Sequence, residues 1–395
     1  MRRIWTATGL LAGAALAVTC AVYDRSLLVP ADAGAAPDAG ADAQPDAGGD
    51  DGGCALARPP GRPAGADGPD GPRIVMAVDS LRLDDDATAD AGIAVADGYD
   101  VDGVCTCPGP ESCKPPAQTS STAAKARCDG DAGRDNAAGK LFTTFAKLSS
   151  TFQPSRLRDG IRKGNTSMVF VLSRYNGGPD DPSVTVALYL SPGFEGRRLD
   201  GGIGDAGESS PLFDGTDRWT ISPTSLIGGS TLVGTDCETA TTCAPLYVDS
   251  DAYVTGGTLV AHLDFPIGVS DRFVLLVSSA TVTGTLQRQG ASARLQGGQV
   301  SGRASAENIL SGMGLLQDPF SSDYLCKNNP TYLNVKQTLC ASADVATDPR
   351  LDNTGAPCDA LAAAVAFTAS PARLGVVLEE APVATTCPGW RDRCP

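Results

Sequence analysis

The thirteen cysteines of this chain constrain its fold more than any other feature of the sequence. In an exported chain, an even set of cysteines is typical of a disulfide framework that stabilises a fold rich in loops. Cys20 stands apart at the end of an apolar segment, which leaves twelve. We predict disulfides from these twelve: Cys54, Cys105, Cys107, Cys113, Cys128, Cys237, Cys243, Cys326, Cys340, Cys358, Cys387 and Cys394.

Some pairs are predicted because their members close a short loop within one segment. This criterion favours Cys237 with Cys243 and Cys326 with Cys340. The last three cysteines are expected to include one pair that fixes the C-terminal tail, with the third member reaching elsewhere, for example Cys54. The four cysteines from 105 to 128 could instead bind zinc, but their C-x-C-x5-C-x14-C spacing is unlike that of zinc knuckles. Export to an oxidising compartment also favours disulfides for them.

The N-terminus has the pattern of an export signal. Met1-Arg-Arg3 precedes an apolar stretch over 4–18, which is too short to span a bilayer comfortably. We therefore predict a signal peptide over residues 1–19. The end of this stretch, Leu16-Ala-Val-Thr-Cys20, resembles a bacterial lipobox, in which the cysteine is lipidated and becomes the mature N-terminus. A signal-peptidase site at Ala15-Leu-Ala17, which would give a secreted protein, is the alternative.

A low-complexity segment follows the signal. Residues 31–72 are rich in Ala, Asp, Gly and Pro and repeat the sequence Pro-Asp-Ala-Gly, so residues 20–72 are predicted to be a disordered tether. Signal, Cys20 and this linker together resemble surface lipoproteins of myxobacteria. That resemblance covers about the first 70 residues. It implies a lipid anchor in the cell envelope, expected at the outer membrane, and implies nothing specific about the rest of the chain.

Composition excludes several functions. The net charge of −15 argues against nucleic acid as a partner, because phosphate binding needs clustered basic residues. The only histidine, His262, excludes zinc and iron sites that need two histidines. No G-x-S-x-G motif accompanies it. It lies in an alternating stretch, which predicts an exposed residue on a strand. The expected partners are the membrane, through the lipid, and an unidentified protein or glycan ligand.

Hydrophobic periodicity predicts a mainly β fold over residues 73–395, in a single domain stapled by disulfides. Strands are expected at 73–83, 168–172, 184–190, 217–222, 245–254, 257–265, 272–287, 292–302, 361–368 and 373–379. Helices are expected from 136 to 152, where Asp135 or Asn136 provides the N-cap, and at 155–163, 305–315 and 331–340. A Cys- and Asp-rich insertion occupies 84–134. Many alternating strands with few helices favour an antiparallel β-sandwich of jelly-roll or lectin-like type.

The Asp-rich insertion is the best candidate for a binding site. Asp100, Asp102, Asp129, Asp131 and Asp135 lie in two short loops whose alternating carboxylates suit calcium. A disulfide between the cysteines at 105 and 128, which flank the two loops, would bring them together. The EF-hand pattern is broken at positions 133 and 140, so a pair of solvated turns with a helix cap at Asp135 is the main interpretation and a structural calcium site is the alternative.

The sequence shows no catalytic constellation. The adjacent carboxylates Glu379 and Glu380 would point to opposite faces of a strand, so they cannot act as a glycosidase pair. Trp219 could serve as a platform for a sugar, although a core position fits it better. We therefore expect a non-catalytic binding or structural module, in which any calcium bound at the Asp-rich loops would have a structural role. The alternative is a module that binds or cleaves glycans.

Overall fold

The computed structural model describes residues 56–65, 67–82, 97–107, 109–116, 121–148, 154–195, 210–268, 273–379, 387 and 391–395. All of them belong to one compact unit. The predictions for Cys20, Cys54 and the signal peptide lie outside these residues. Within the described residues, no helix is long and apolar enough to cross a membrane.

Eight antiparallel strands form one continuous sheet around the core. They are β1 (Ile74–Arg82), β2 (Ser167–Ser173), β3 (Asp181–Ser191), β5 (Tyr247–Thr255), β6 (Thr258–Gly268), β7 (Val274–Gln289), β8 (Ser292–Ser305) and β9 (Ala360–Pro371). Each pairs with the next, and β9 pairs with both β8 and β1, so the sheet closes. The predicted mainly β fold with antiparallel strands is confirmed. The closure of the sheet was not predicted, because an alternating hydrophobic pattern identifies a strand but not the strands that pair with it.

Aromatic rings fill the centre of the closed sheet. Phe170 on β2 stacks on Phe367 on β9 with ring centroids 5.4 Å apart. Phe265 on β6 lies 6.1 Å from the first ring and 6.0 Å from the second. These three strands are not neighbours in the sheet, so the contacts cross its interior. The core is therefore a packed interior, as the alternating apolar residues of each strand require.

Turn chemistry fixes the register of the β5–β6 hairpin. Gly256 and Gly257 connect these strands with φ values of 55° and 79°. Two consecutive residues with positive φ are typical of a type I′ turn, whose twist matches that of the strands and which glycine enters without strain.

A second, smaller sheet packs outside the closed one. It pairs β4 (Arg218–Ile221) in parallel with β10 (Arg373–Val377). Trp219 is fully buried there, with Phe194 and Phe213 at centroid distances of 6.0 and 5.7 Å. The core position expected for this tryptophan is confirmed, and the sugar-platform alternative for it is wrong.

Five α-helices surround the sheets in the described residues. They are α1 (Ser121–Ala126), α2 (Ala137–Leu148), α3 (Pro154–Arg162), α4 (Ala306–Met313) and α5 (Pro330–Ala341). The last four were predicted, and α1 was missed because its six residues are too few to show a helical hydrophobic period. Asn136 is the side chain that caps α2, since its Oδ1 accepts from the Gly139 amide at 2.9 Å.

The disulfides confirm one predicted pair and correct the others. Cys237 is bonded to Cys243, as the short loop indicated. Cys326 is bonded to a tail cysteine and not to Cys340, and the three tail cysteines pair outward instead of with one another. The observed bonds are Cys107–Cys128, Cys113–Cys358, Cys326–Cys387 and Cys340–Cys394. Cys105 is also disulfide-bonded, so the zinc alternative is wrong for these cysteines.

The physical reason for these corrections is that α5 separates Cys326 and Cys340 and the tail lies along this helix, where Asp392 accepts hydrogen bonds from Tyr332 and Lys336. Cys326 lies just before the start of α5 and Cys340 in its last turn, 14 residues apart by number, whereas Cys387 and Cys394 lie at Cα distances of 5.8 and 5.4 Å from them. Sequence proximity is therefore a poor guide where a helix separates two cysteines. No tail cysteine is left to bond Cys54, because all three are paired elsewhere.

The end of the predicted tether is also corrected. Residues 56–65 and 67–72 lie against the folded unit. The Tyr253 hydroxyl donates to the Pro60 carbonyl at 2.6 Å, and the Gly71 amide donates to the Tyr175 carbonyl at 2.9 Å. Low apolar content does not prevent ordering here, since main-chain hydrogen bonds and one arginine hold the segment. The tether prediction for earlier residues lies outside the described residues.

Candidate metal centre

Two loops of the Cys- and Asp-rich insertion meet on the outer face of the closed sheet. The first, residues 97–107, is fixed to the sheet by Tyr99, whose amide donates to Ser301 Oγ on β8 at 2.8 Å. The second, residues 127–136, lies beside it, with the Asp135 amide donating to the Tyr99 carbonyl at 3.3 Å. The Cys107–Cys128 disulfide joins the loops, where the sequence predicted a bond from the cysteine two positions earlier.

Three carboxylates from these loops converge at one point. One oxygen from each of Asp100, Asp102 and Asp135 lies within 4.8 Å of the other two. Asp102 and Asp135 are buried and Asp100 is half-buried. A cluster of this size matches the separation of oxygens around a single bound cation. The structure therefore unites three of the five predicted ligands.

Backbone amides hold these carboxyl groups in place. The Val101 amide donates to Asp135 Oδ2 at 2.7 Å. The Gly103 amide donates to Asp100 Oδ1 at 2.8 Å, and the Val104 amide to Asp102 Oδ1 at 3.1 Å. One oxygen of each group thus accepts a hydrogen bond from the main chain, which restricts the rotation of the three carboxyl groups.

The remaining two predicted ligands behave differently from each other. Asp129 lies beside the cluster, with its Oδ2 accepting from the Thr106 amide at 2.5 Å and its side chain in contact with Asp135. Asp131 is exposed and begins a short 3-10 turn, so the structure does not bring it to the three converging carboxylates. The alternating pattern misled here because Ala132 adopts a positive φ of 61°, which turns the chain away.

Asp344 is an acidic residue that sequence reasoning missed. It follows α5, is buried, and its charge raises the pKa of Asp135. The Ala362 amide on β9 donates to its Oδ1 at 2.8 Å. The sequence around Asp344 did not indicate a metal site, because this residue is more than 200 positions from the two loops. The tertiary fold, with the nearby Cys113–Cys358 disulfide, places it beside the cluster. Counted with it, the acidic cluster comprises Asp100, Asp102, Asp129, Asp135 and Asp344.

Burial and mutual repulsion disfavour ionisation in the cluster. Burial raises the pKa of Asp102 and of Asp135, and neighbouring carboxylates raise both further. Burial likewise raises the pKa of Asp344, to about 8. A carboxyl group with a raised pKa is stabilised by a proton or by a cation in the proton's place. The electrostatics therefore favour the binding of a positive ion.

A buried hydroxyl beside the cluster has no full hydrogen bond. Ser112 is 1% exposed, and its Oγ makes no hydrogen bond within ordinary distance and angle limits among the described residues. It nevertheless lies close enough to the Asp102 carboxyl to lower its pKa. A buried polar atom without a partner is costly. A cation bound between the loops would provide this oxygen with an interaction that the protein does not.

The donor set consists of oxygen atoms on flexible loops. Calcium prefers six to eight oxygens in such an arrangement, whereas zinc prefers nitrogen and sulfur. The three converging carboxylates would supply part of that shell, and Ser112 stands next to it. This geometry differs from an EF-hand, because the ligands come from two loops joined by a disulfide and not from one continuous loop.

The other sequence candidate, His262, lies away from this site. It is exposed on β6, as its alternating stretch predicted, and its Nδ1 is 3.2 Å from Thr281 Oγ1. Apart from this hydroxyl, no acidic or nucleophilic side chain within hydrogen-bonding distance of the imidazole is seen in the described part of the chain. It therefore adds nothing to the candidate centre.

Fold and site together define a class: a disulfide-stapled, closed β module that carries a buried acidic loop cluster. Comparison with known proteins adds no family to this description. No family model, no curated protein and no solved structure matches the chain.

Proposed function

We propose that this chain is an exported, envelope-anchored binding or structural module that performs no catalytic step and whose surface loops are held by calcium. The convergence of Asp100, Asp102 and Asp135 within 4.8 Å carries the calcium part of the proposal. The raised pKa values within the cluster support it, because they express a shortage of positive charge. Calcium is abundant outside cells, where a weak structural site is sufficient.

Export is supported by the disulfides. They join distant parts of the chain, the widest span being 245 residues between Cys113 and Cys358. Such bonds persist in oxidising compartments and are rare in the cytosol of most organisms. The N-terminal pattern ending at Cys20 supplies the anchor in this proposal. A lipid at that residue would leave the folded module outside the membrane, on a linker of about 35 residues.

The calcium part is tested by thermal unfolding with calcium and with a chelator. We expect calcium at a hundredfold excess over its Kd to add about 2.7 kcal/mol, a rise in Tm of about 5 °C or more. Asp102→Asn and Asp135→Asn should abolish this rise. Both substitutions are isosteric and remove mutual repulsion, so the variants should fold. The matched control is Asp131→Asn, in the same loop but exposed, which should keep the full shift. An unchanged Tm in the wild type would refute calcium binding.

The anchor is tested separately in cells. Labelled palmitate should be incorporated into the wild-type protein and not into the Cys20→Ala variant. Fractionation should place the wild type in the envelope and release the variant into the medium. If the wild type carries no label, the protein is secreted without an anchor, and the calcium measurement is unaffected.

A further inference from the structure

The segment over residues 56–65, which we call the N-terminal strap, crosses both acidic loops. The Ala57 amide donates to the Ala132 carbonyl of the second loop at 2.7 Å. The Ala57 carbonyl accepts from the amide of Asp100, in the first loop, at 2.9 Å. A single residue of the strap therefore bridges the two segments that carry the three converging carboxylates.

Side chains at the start of the strap reinforce this contact. Leu56 lies so close to Gly133 that a Cβ on that glycine would be 2.9 Å from its Cδ2. The positive charge of Arg58 acts on Asp100, where it lowers the pKa against the larger effect of burial. The strap therefore forms part of the wall of the site. It contacts both loops, and its Arg58 interacts electrostatically with Asp100.

The far end of the strap is attached elsewhere. The Arg62 guanidinium donates to the Pro182 carbonyl at 2.5 Å and to the Asp251 carbonyl at 2.6 Å. It also lies 4.8 Å from the centre of the Tyr253 ring. These contacts are made with β3 and β5, away from the acidic loops. A substitution of Arg62 can therefore weaken the attachment of the strap without changing any of the three converging carboxylates.

We propose that cation binding at Asp100, Asp102 and Asp135 locks the N-terminal strap onto the folded unit. The inference rests on the proposed calcium site, for which the buried Ser112 hydroxyl beside Asp102, which makes no hydrogen bond of ordinary geometry, is a second observation besides the convergence of the carboxylates. A cation that draws the two loops together fixes the Ala132 carbonyl and the Asp100 amide, which are the two groups that hold Ala57. The point where the chain enters the module would then depend on calcium.

Coupling of this kind must be reciprocal. If calcium strengthens attachment of the strap by some factor, then calcium must bind the protein with its strap detached more weakly by the same factor. The coupling free energy can therefore be measured in two ways: from the effect of calcium on the strap, and from the effect of the strap on calcium affinity. Typical couplings between sites correspond to about fivefold or more in affinity.

The first measurement is amide hydrogen exchange of the full oxidised protein, with calcium and with chelator. Prolines at 59, 60 and 63 carry no amide hydrogen, so a peptide over 56–65 reports few amides, including that of Ala57. We expect calcium to slow exchange of this peptide about fivefold or more. Asp131→Asn should behave like the wild type, and Asp102→Asn should show no slowing.

The second measurement is calcium titration by calorimetry of Arg62→Ala. This change removes the distant attachment of the strap, and we expect affinity to fall about fivefold. Arg373→Ala is the control of equal charge change, because that residue is exposed on β10 with Glu238 as its salt-bridge partner. It should retain wild-type affinity.

The outcomes separate the two proposals. A wild-type protein that takes up no calcium refutes the calcium site itself. A protein whose Tm rises with calcium while exchange of the 56–65 peptide stays constant refutes the coupling alone. Equal calcium affinities of Arg62→Ala and the wild type would also refute the coupling, when the 56–65 peptide of the variant exchanges faster in chelator than that of the wild type and the strap is therefore shown to be loosened.

Discussion

Arg303 on β8 is paired with Asp352 in the interior, with 2.9 Å between its Nη1 and Asp352 Oδ1. The guanidinium is 1% exposed, and it also donates to the Ala346 carbonyl at 2.6 Å and to the Val101 carbonyl at 2.8 Å. Val101 lies between two of the converging carboxylates. One arginine therefore joins the closed sheet, the loop before β9 and the candidate metal centre.

Loss of the partner of Arg303 should be strongly destabilising. We expect Asp352→Ala to lower the free energy of unfolding by about 3–5 kcal/mol, because it leaves a buried charge uncompensated. Denaturant unfolding measures this. Asp348→Ala is the control: it breaks the exposed pair with Arg350, which is screened by water, and should have a much smaller effect. Similar losses in the two variants would contradict the buried pair.

The stability of the calcium-free protein should fall as pH rises. The native cluster binds protons more tightly than the unfolded chain does, because burial raises the pKa of Asp102, Asp135 and Asp344. The unfolded state therefore binds fewer protons between pH 4 and about 8, and the free energy of unfolding decreases over that interval. Chemical unfolding at several pH values measures the slope.

Calcium should flatten or reverse this slope, since it binds the ionised carboxylates and so gains affinity as pH rises. Asp344→Asn should reduce the slope without calcium, because one of the raised groups no longer titrates. A calcium-free protein that becomes more stable from pH 5 to pH 8 would contradict the burial of these carboxyl groups.

The disulfides should contribute unequally. In the chain-entropy model, a bond spanning 245 residues, such as Cys113–Cys358, contributes about 5 kcal/mol, and one spanning 6 residues, such as Cys237–Cys243, about 2 kcal/mol. Double Cys→Ser variants of each pair, compared by denaturant unfolding, test the order. Loss of the short bond should be the milder change. The reverse order would show that strain or residual structure in the unfolded chain dominates.

Trp219 should be inaccessible to any ligand. It is 0% exposed, so we expect a short-wavelength emission maximum and weak quenching by acrylamide in a Trp390→Phe background. Soluble glycans should leave this emission unchanged. A shift on adding a glycan would revive the sugar-binding alternative that the sequence left open.

Local patterns predicted much of the fold. The alternation at Val184–Leu190 marked β3, and the apolar run at Met168–Leu172 marked β2, because side-chain period follows directly from backbone geometry. The cap at Asn136 was also readable, since a short polar side chain and the amide it accepts from are three residues apart. Three of the five predicted metal ligands converge for a similar reason, as they lie in two short loops.

The sequence by itself determined the mainly β character, the positions of four of the five described helices, the oxidised cysteines and the acidic loops, because each follows from residues that are close in the chain. Only the tertiary structure decided that β9 closes onto β1, that Cys326 bonds Cys387, and that Asp344 joins Asp135. Those relationships bring together residues far apart in number. They depend on the packing of the whole core, which no local period encodes.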